Sequence, residues 1–269
     1  MKRLVRASVA LALVAAAGTA ASPAQAARFH PPIVALNANQ SSNWSGYNQG
    51  ALEKGTTFNG ITGDWTVPTA TQHTARQDEY SSSWIGIGGG CVDANCNVGD
   101  TTLIQAGTEQ DVSSSGSASY SAWWELIPAP SIQITSLTIH PGDHIHASIA
   151  ETVPNSEVWN MQLTDVTTGQ SWSQTVPCTS THATAEWIEE TPLVIDTSGA
   201  ALSPMPNLST VNFDVATANA ANAGLTASEE MQLVDSSGRP VATPSSPDPD
   251  TDGFNDCTFA GSCPAPTSS

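Results

Sequence analysis

The chain has 269 residues, of which only 12% are charged, and 25 acidic side chains face seven lysines and arginines for a formal net charge of −18 at pH 7. A surface this acidic repels nucleic acid and anionic membranes, so neither is an expected partner. Few cations also mean few salt bridges to lose in acid, a composition suited to an acidic habitat.

The first element is a leader. MKRLVR carries Lys2, Arg3 and Arg6, the apolar run ASVALALVAAAGTAA follows, and Ala24-Gln25-Ala26 closes it. A charged head, a short apolar centre and an A-x-A end form a secretory signal over residues 1–26. No later stretch approaches the roughly 20 apolar residues of a spanning helix. The mature chain is therefore expected to be secreted, extracellular and monomeric. Residues 27–41 read as an N-terminal extension, with loose stretches expected over about 27–40 and 244–269. Residues 42–269 show no internal repeat or linker and read as one domain.

Along that domain the dominant period is two. In ITGDWTVP, Ile61, Gly63, Trp65 and Val67 share a face; in HIHASIA, Ile145, Ala147 and Ile149 do; in VWNMQLTD, Trp159, Met161 and Leu163 do. Turn signals separate such runs at His140-Pro141-Gly142-Asp143, Thr168-Gly169-Gln170 and Ser236-Ser237-Gly238. Short alternating segments between turns indicate an all-β antiparallel sandwich or barrel. The alanine-rich stretch 216–230 has helix-like composition without an apolar stripe and reads as a loop or short helix.

Three strands carry candidate chemistry. TLIQAGTEQ (102–110) puts Gln105 on the side of Leu103, a polar amide in an apolar strand. YSAWWELIP (120–128) sets Trp123 and Glu125 on one face and Trp124 on the other. AEWIEETP (185–192) sets Glu186, Ile188 and Glu190 opposite Trp187 and Glu189. Trp44 in SNWSGY and Trp84 in SSWIGIGGG belong to a set of eight tryptophans in a chain otherwise poor in aromatics. They either line a cleft for an extended ligand or fill a sandwich core.

Taken in order, SNW, WIGIGG, LIQAG, YSAWWE, PGD and AEWIEE resemble the motifs of the glutamic peptidases called eqolisins. The resemblance runs from about residue 42 to the final strands. It implies a β-sandwich of two bent antiparallel sheets with a concave substrate cleft, and an acid-acting endopeptidase that takes polypeptide substrates and requires no cofactor or metal. It places the catalytic pair on Gln105 and Glu190, and cleft-lining or supporting roles on Trp44, Trp84, Trp123 and Glu125. Glu186 is then a same-face neighbour and Glu189 a solvated residue. Gly88 and Glu109 depart from the pattern, each standing where fungal members have aspartate.

The same resemblance implies a bridge from Cys178 to Cys91 or Cys96, with Cys257 joined to Cys263 and one thiol free. Other constellations are weaker. His140, His144 and His146 read as surface histidines rather than zinc ligands. DPDTDGFND (248–256) imitates a calcium loop but has Phe259 at position twelve, so it reads as a turn. No G-x-S-x-G elbow supports a serine triad. The competing classes are a carbohydrate-binding sandwich and a glycoside hydrolase with Glu125 and Glu190 as paired carboxylates. A glycosidase has no requirement for the Gln105 amide, and a carbohydrate-binding module needs no base.

Overall fold

The computed structural model describes residues 27–197 and 199–267; the secretory signal expected over residues 1–26 lies outside them. The alternating runs form strands, because period-two patterning puts every second side chain on the same face of the sheet. In chain order they include β1 (Ala27–Phe29), β2 (Trp44–Gly50), β3 (Gly60–Thr66), β4 (Glu79–Ile87), β5 (Ile104–Val112), β6 (Ala118–Leu126), β7 (His144–Glu151) and β8 (Val158–Asp165). They continue with β9 (Gln170–Pro177), β10 (Thr184–Glu190), β11 (Leu193–Asp196), β12 (Gly199–Leu202), β13 (Val211–Ala218), β14 (Glu230–Val234), β15 (Pro240–Pro244) and β16 (Phe254–Thr258).

Among the described residues two large antiparallel sheets form, beside a small sheet β1-β11-β12. The first runs β14-β2-β10-β4-β5-β6. The second runs β9-β8-β7-β3-β13-β16-β15-β14, so β14 joins the two edge to edge. Between them lies the main core. The first sheet contributes Tyr47, Ile85, Ile104 and Trp187, and the second contributes Trp65, Ile149, Met161 and Phe213. Each such apolar side chain taken out of water contributes about 1.5–3 kcal/mol before the entropy of ordering it is counted.

The first sheet is apolar on its outer face as well. Trp44, Trp84, Leu103, Trp123 and Ile188 form a second buried cluster there, with Ile33 packed against it. The eight tryptophans therefore divide between the two alternatives. Trp44, Trp84 and Trp123 line the outer face, Trp65, Trp159 and Trp187 fill the core, and Trp124 and Trp172 pack at its margin. At Gly46, φ is +131° and a Cβ would lie 2.2 Å from the Trp187 carbonyl oxygen. Only glycine lets β2 come this close to β10.

Several expectations change. Both stretches expected to be loose contain paired strands. Ala27–Phe29 pairs with Leu193–Ile195 of β11, and β16 lies between β13 and β15 with Phe254 stacked on Phe213. The stretch 216–230 comprises the end of β13, a two-residue strand and a three-residue 3₁₀ turn at Ala227–Glu229. Cys257 does join Cys263, but Cys91 joins Cys96 and leaves Cys178 free. The bridge expected from Cys178 is thus corrected. Cys91 pairs with Gly99 across a tight loop that holds the Cys91 and Cys96 Cα atoms 4.7 Å apart, within ordinary disulfide reach. Cys178 instead follows β9, half-buried, with its sulfur against the Thr179 carbonyl.

Candidate active site

The outer face of the first sheet is built by strand register. Glu190 on β10 sits opposite Trp44 on β2 and Ser82 on β4, and Ile188 opposite Trp84. Gln105 on β5 sits opposite Gly86 on β4 and Glu125 on β6, with Trp123 beside Gly107. Alternation sends all of these to one side, so the six predicted site residues share one face of one sheet. Gly107 makes room at the centre, where a Cβ would come within 2.4 Å of Trp84 Cβ and of the Ser83 carbonyl oxygen.

Hydrogen bonds then fix the polar groups. The Trp84 indole N–H donates to Glu190 Oε2 at 2.8 Å, and Trp44 packs edge-on against Trp84 at 4.9 Å. The Trp123 indole donates to Ser82 Oγ at 2.8 Å. Gln105 Nε2 donates to Glu125 Oε2 at 2.8 Å, which fixes the orientation of the amide. Gln105, Glu125 and Glu190 are fully buried, and the second carboxylate oxygen of each glutamate makes no hydrogen bond of ordinary geometry among the described residues.

The burial comes from the N-terminal extension. His30, itself fully buried, stacks on Trp123 with ring centroids 3.5 Å apart and planes within 7°. Its Nδ1 lies 3.0 Å from Glu190 Oε2, its backbone N–H donates to Glu125 Oε2 at 2.9 Å, and its carbonyl accepts from Gln105 Nε2 at 2.6 Å. Its Nε2 is 3.5 Å from Glu109 Oε1. Gln105 and Glu190 therefore meet through one residue. Arg28 extends alongside, ion-paired with Glu109 and Asp111 and lying over the Tyr80 ring.

These contacts set the charges. Burial opposes a charge on His30, but hydrogen bonds to Glu109 and Glu190 and the nearby carboxylates outweigh it and raise its pKa to about 10. Burial pushes the Glu125 carboxyl up to about 8 against the opposing pull of His30. Burial also raises Glu190, opposed by His30 and by the Trp84 hydrogen bond. Glu109 is held below its ordinary value, because His30 and Arg28 together outweigh its desolvation.

His30 and Arg28 stand outside every alternating run, so strand patterning does not mark them. The available signal is Arg28 itself, a rare cation two residues before a histidine that a Pro-Pro pair follows. Glu189 requires a correction, since it is fully buried on the opposite face, accepts from Ser83 Oγ at 2.6 Å and is pushed by burial to about 8. Glu186 lies on the cleft side as expected, four residues along β10 and fully buried. Gly88 also gains a reason. Its φ is +93° and a Cβ would lie 2.1 Å from the Thr102 carbonyl oxygen, so an aspartate has no place there.

Away from this face, His144 and His146 each contact Asp64, at 2.7 and 2.6 Å. In the expected turn after Pro247, Asp248 Oδ1 accepts the amides of Asp252 and Gly253, and Asp214 brings a third carboxylate close to theirs.

The sequence profile of the Peptidase A4 family matches residues 42–252. The chain belongs to this family. It is 28% identical over 175 residues to Aspergillopepsin-2 of Aspergillus niger, covering 57% of each chain. It is 29% identical over 159 residues to Scytalidopepsin B of Scytalidium lignicola, covering 59% of this chain and 51% of that one. The matches thus span between half and three fifths of these relatives. Among solved structures, scytalido-glutamic peptidase with a transition state analog inhibitor superposes with a TM-score of 0.62 at 21% identity, over 81% of this chain and 98% of that one. Aspergilloglutamic peptidase from Aspergillus niger gives a TM-score of 0.54 at 25% identity, over 67% and 99%. The fold is therefore the β-sandwich of these Peptidase A4 relatives. Gln105, Glu125 and Glu190 lie inside the family match, whereas Arg28 and His30 precede it.

Proposed function

We propose that the chain is a secreted, acid-acting endopeptidase in which Glu190 is the general base and Gln105 the oxyanion donor. The observation that carries this reading is the convergence of the Gln105 amide and the Glu190 carboxylate on one residue's carbonyl and side chain at the centre of a tryptophan-lined face. Ionised Glu190 takes one proton from a water as the water oxygen adds to the scissile carbonyl carbon. The Gln105 N–H donates to the oxyanion that develops. Collapse breaks the C–N bond, Glu190 passes its proton to the leaving nitrogen, and acid and amine depart with the base ionised again. Glu125 orients the Gln105 amide through its 2.8 Å hydrogen bond. Trp44, Trp84 and Trp123 supply the walls of the cleft.

A carboxylate base suits acid, where a histidine base would hold its proton. The scheme uses no serine, cysteine, metal or cofactor, and its partners are polypeptide substrates. The test is incubation of the purified protein with denatured casein and with a polysaccharide panel at about pH 3–5. The expected result is peptide release that survives serine-reactive reagents, thiol alkylation, chelators and pepstatin. Sugar release without peptide cleavage, or loss of activity on chelation without unfolding, would refute the assignment.

A further inference from the structure

We infer that residues 27–35 form a built-in pseudo-substrate, lying in the cleft in the register of a peptide about to be cut, with the His30–Pro31 bond at the cutting point. This rests on the catalytic roles proposed above.

The segment enters as a substrate strand would. Arg28 and Phe29 pair antiparallel with Val194 and Leu193 of β11, three residues beyond Glu190. Such edge pairing is a general way for a sheet to hold an extended peptide. Beyond the centre, the Ile33 N–H donates to the Gly89 carbonyl at 2.9 Å and the Val34 N–H to Asn43 Oδ1 at 2.7 Å. The chain is thus gripped on both sides of His30.

At His30 the grip falls on the reacting groups. Its carbonyl oxygen accepts from Gln105 Nε2 at 2.6 Å, the donor assigned to the oxyanion. A carbonyl held by that amide occupies the place of the scissile carbonyl. Its ring stands against Glu190 Oε2, where the base must meet water. The bond that follows leads to Pro31, and Pro32 comes next. The proline ring fixes φ near −65° and carries the nitrogen inside it, so the leaving nitrogen cannot turn its lone pair toward the acid. Pro32 restricts Pro31 further. The strap therefore blocks the base and presents a leaving group the site cannot easily release.

The register also assigns a pocket. Arg28, two residues before the pseudo-scissile residue, lies between Glu109, Asp111 and Tyr80. A substrate in the same register would place its third residue before the cut there, and a basic side chain would fit.

The test begins with Pro31→Ala, which turns the leaving group into an ordinary secondary amide. Cleavage adds water across the bond, leaving a carboxyl on residue 30 and an amine on residue 31. Incubated in acid and followed by intact mass, the wild-type chain is expected to keep this bond. The variant is expected to be cut after residue 30 at a rate independent of protein concentration. An intact variant strap in a sample that digests casein would overturn the register, as would a rate proportional to concentration. His30→Ala, which frees Glu190, is expected to raise initial cleavage of an external fluorogenic peptide at least tenfold over wild type; no increase would also count against the proposal. Histidine-ring NMR separates this inference from the catalytic one, since it reads docking without activity. A docked His30 keeps its proton past neutral pH, and Glu190→Gln lowers its pKa. A His30 that titrates like a free imidazole overturns the strap even if the enzyme is active. If His30 is docked but neither wild type nor His30→Ala cuts any peptide, the catalytic reading fails instead.

Discussion

Glu189 and Glu190 are neighbours in the chain with opposite surroundings. Glu190 faces the cleft and Trp84, whereas Glu189 faces the other sheet, bonded to Ser83 and raised by burial to about 8. In acid Glu189 is already neutral, so Glu189→Gln is expected to keep activity within about twofold and the fold intact, since one uncharged group of the same shape replaces another. A Glu189→Gln enzyme as inactive as Glu190→Gln would remove the distinction between them. Trp84→Phe is expected to move the acid limb of the kcat/KM profile to higher pH. The lost N–H stabilised ionised Glu190, so without it the base holds its proton longer. An unmoved limb would mean that Trp84 does not tune the base. At this scale, alternation alone separated Glu190 from Glu189, because strand period fixes the face. It did not show which face was wet, since both sides of the first sheet are buried.

At the scale of elements, the strands between residues 60 and 165 were legible because their apolar period is clean and turn residues bound them. The strap was not, because its order comes from long-range contacts with β5, β6 and β10 rather than from local pattern. The Cys91–Cys96 bridge is local, with a sequence separation of 5, but spacing alone does not choose it over the long bridge to Cys178 that the family resemblance implies. Gly46→Ala is expected to destabilise the domain by more than the usual 0.5–3 kcal/mol of a point change, because a Cβ cannot fit against the Trp187 carbonyl. Denaturant unfolding measures this, and a near-neutral result would contradict the close approach of β2 and β10. The strap is expected to respond to acid in two phases. His30 faces Glu109, Glu125 and Glu190, and Arg28 faces Glu109, Asp111 and Tyr80. Burial raises Glu125, Glu190 and Asp111, so these groups favour docking increasingly as pH falls toward their ordinary values near 4. Glu109 is lowered, so its contribution, present above 4.5, is lost as pH falls through its folded pKa. Hydrogen exchange at the His30 and Ile33 amides, corrected for the intrinsic pH dependence, is expected to show protection rising from pH 8 to about 5 and falling below about 4.5. Steady loss of protection from neutrality downward would contradict this.

The whole molecule is built for acid. Burial holds the Glu186 carboxyl well above its ordinary value, pushes Glu189 to about 8 and raises Asp256 to about 7. A carboxyl with a raised folded pKa adds stability in full below its unfolded pKa near 4 and loses it as pH rises through the folded value. The thermal midpoint is therefore expected to be highest near pH 4 and to fall toward pH 8, the reverse of ordinary acid denaturation; a midpoint that rises with pH would contradict this. Composition had already pointed in that direction, but it could not tell which carboxyls were buried, since that depends on packing two sheets. The most direct test of the central claim is a pH–rate profile on denatured casein for wild type, Glu190→Gln and Gln105→Ala, with circular dichroism to confirm folding. Glu190→Gln is expected to be inactive at every pH and Gln105→Ala to lose about 10²–10³ in rate, both with wild-type spectra. Near-wild-type activity in both folded variants would contradict the assignment of Glu190 and Gln105 as the catalytic pair.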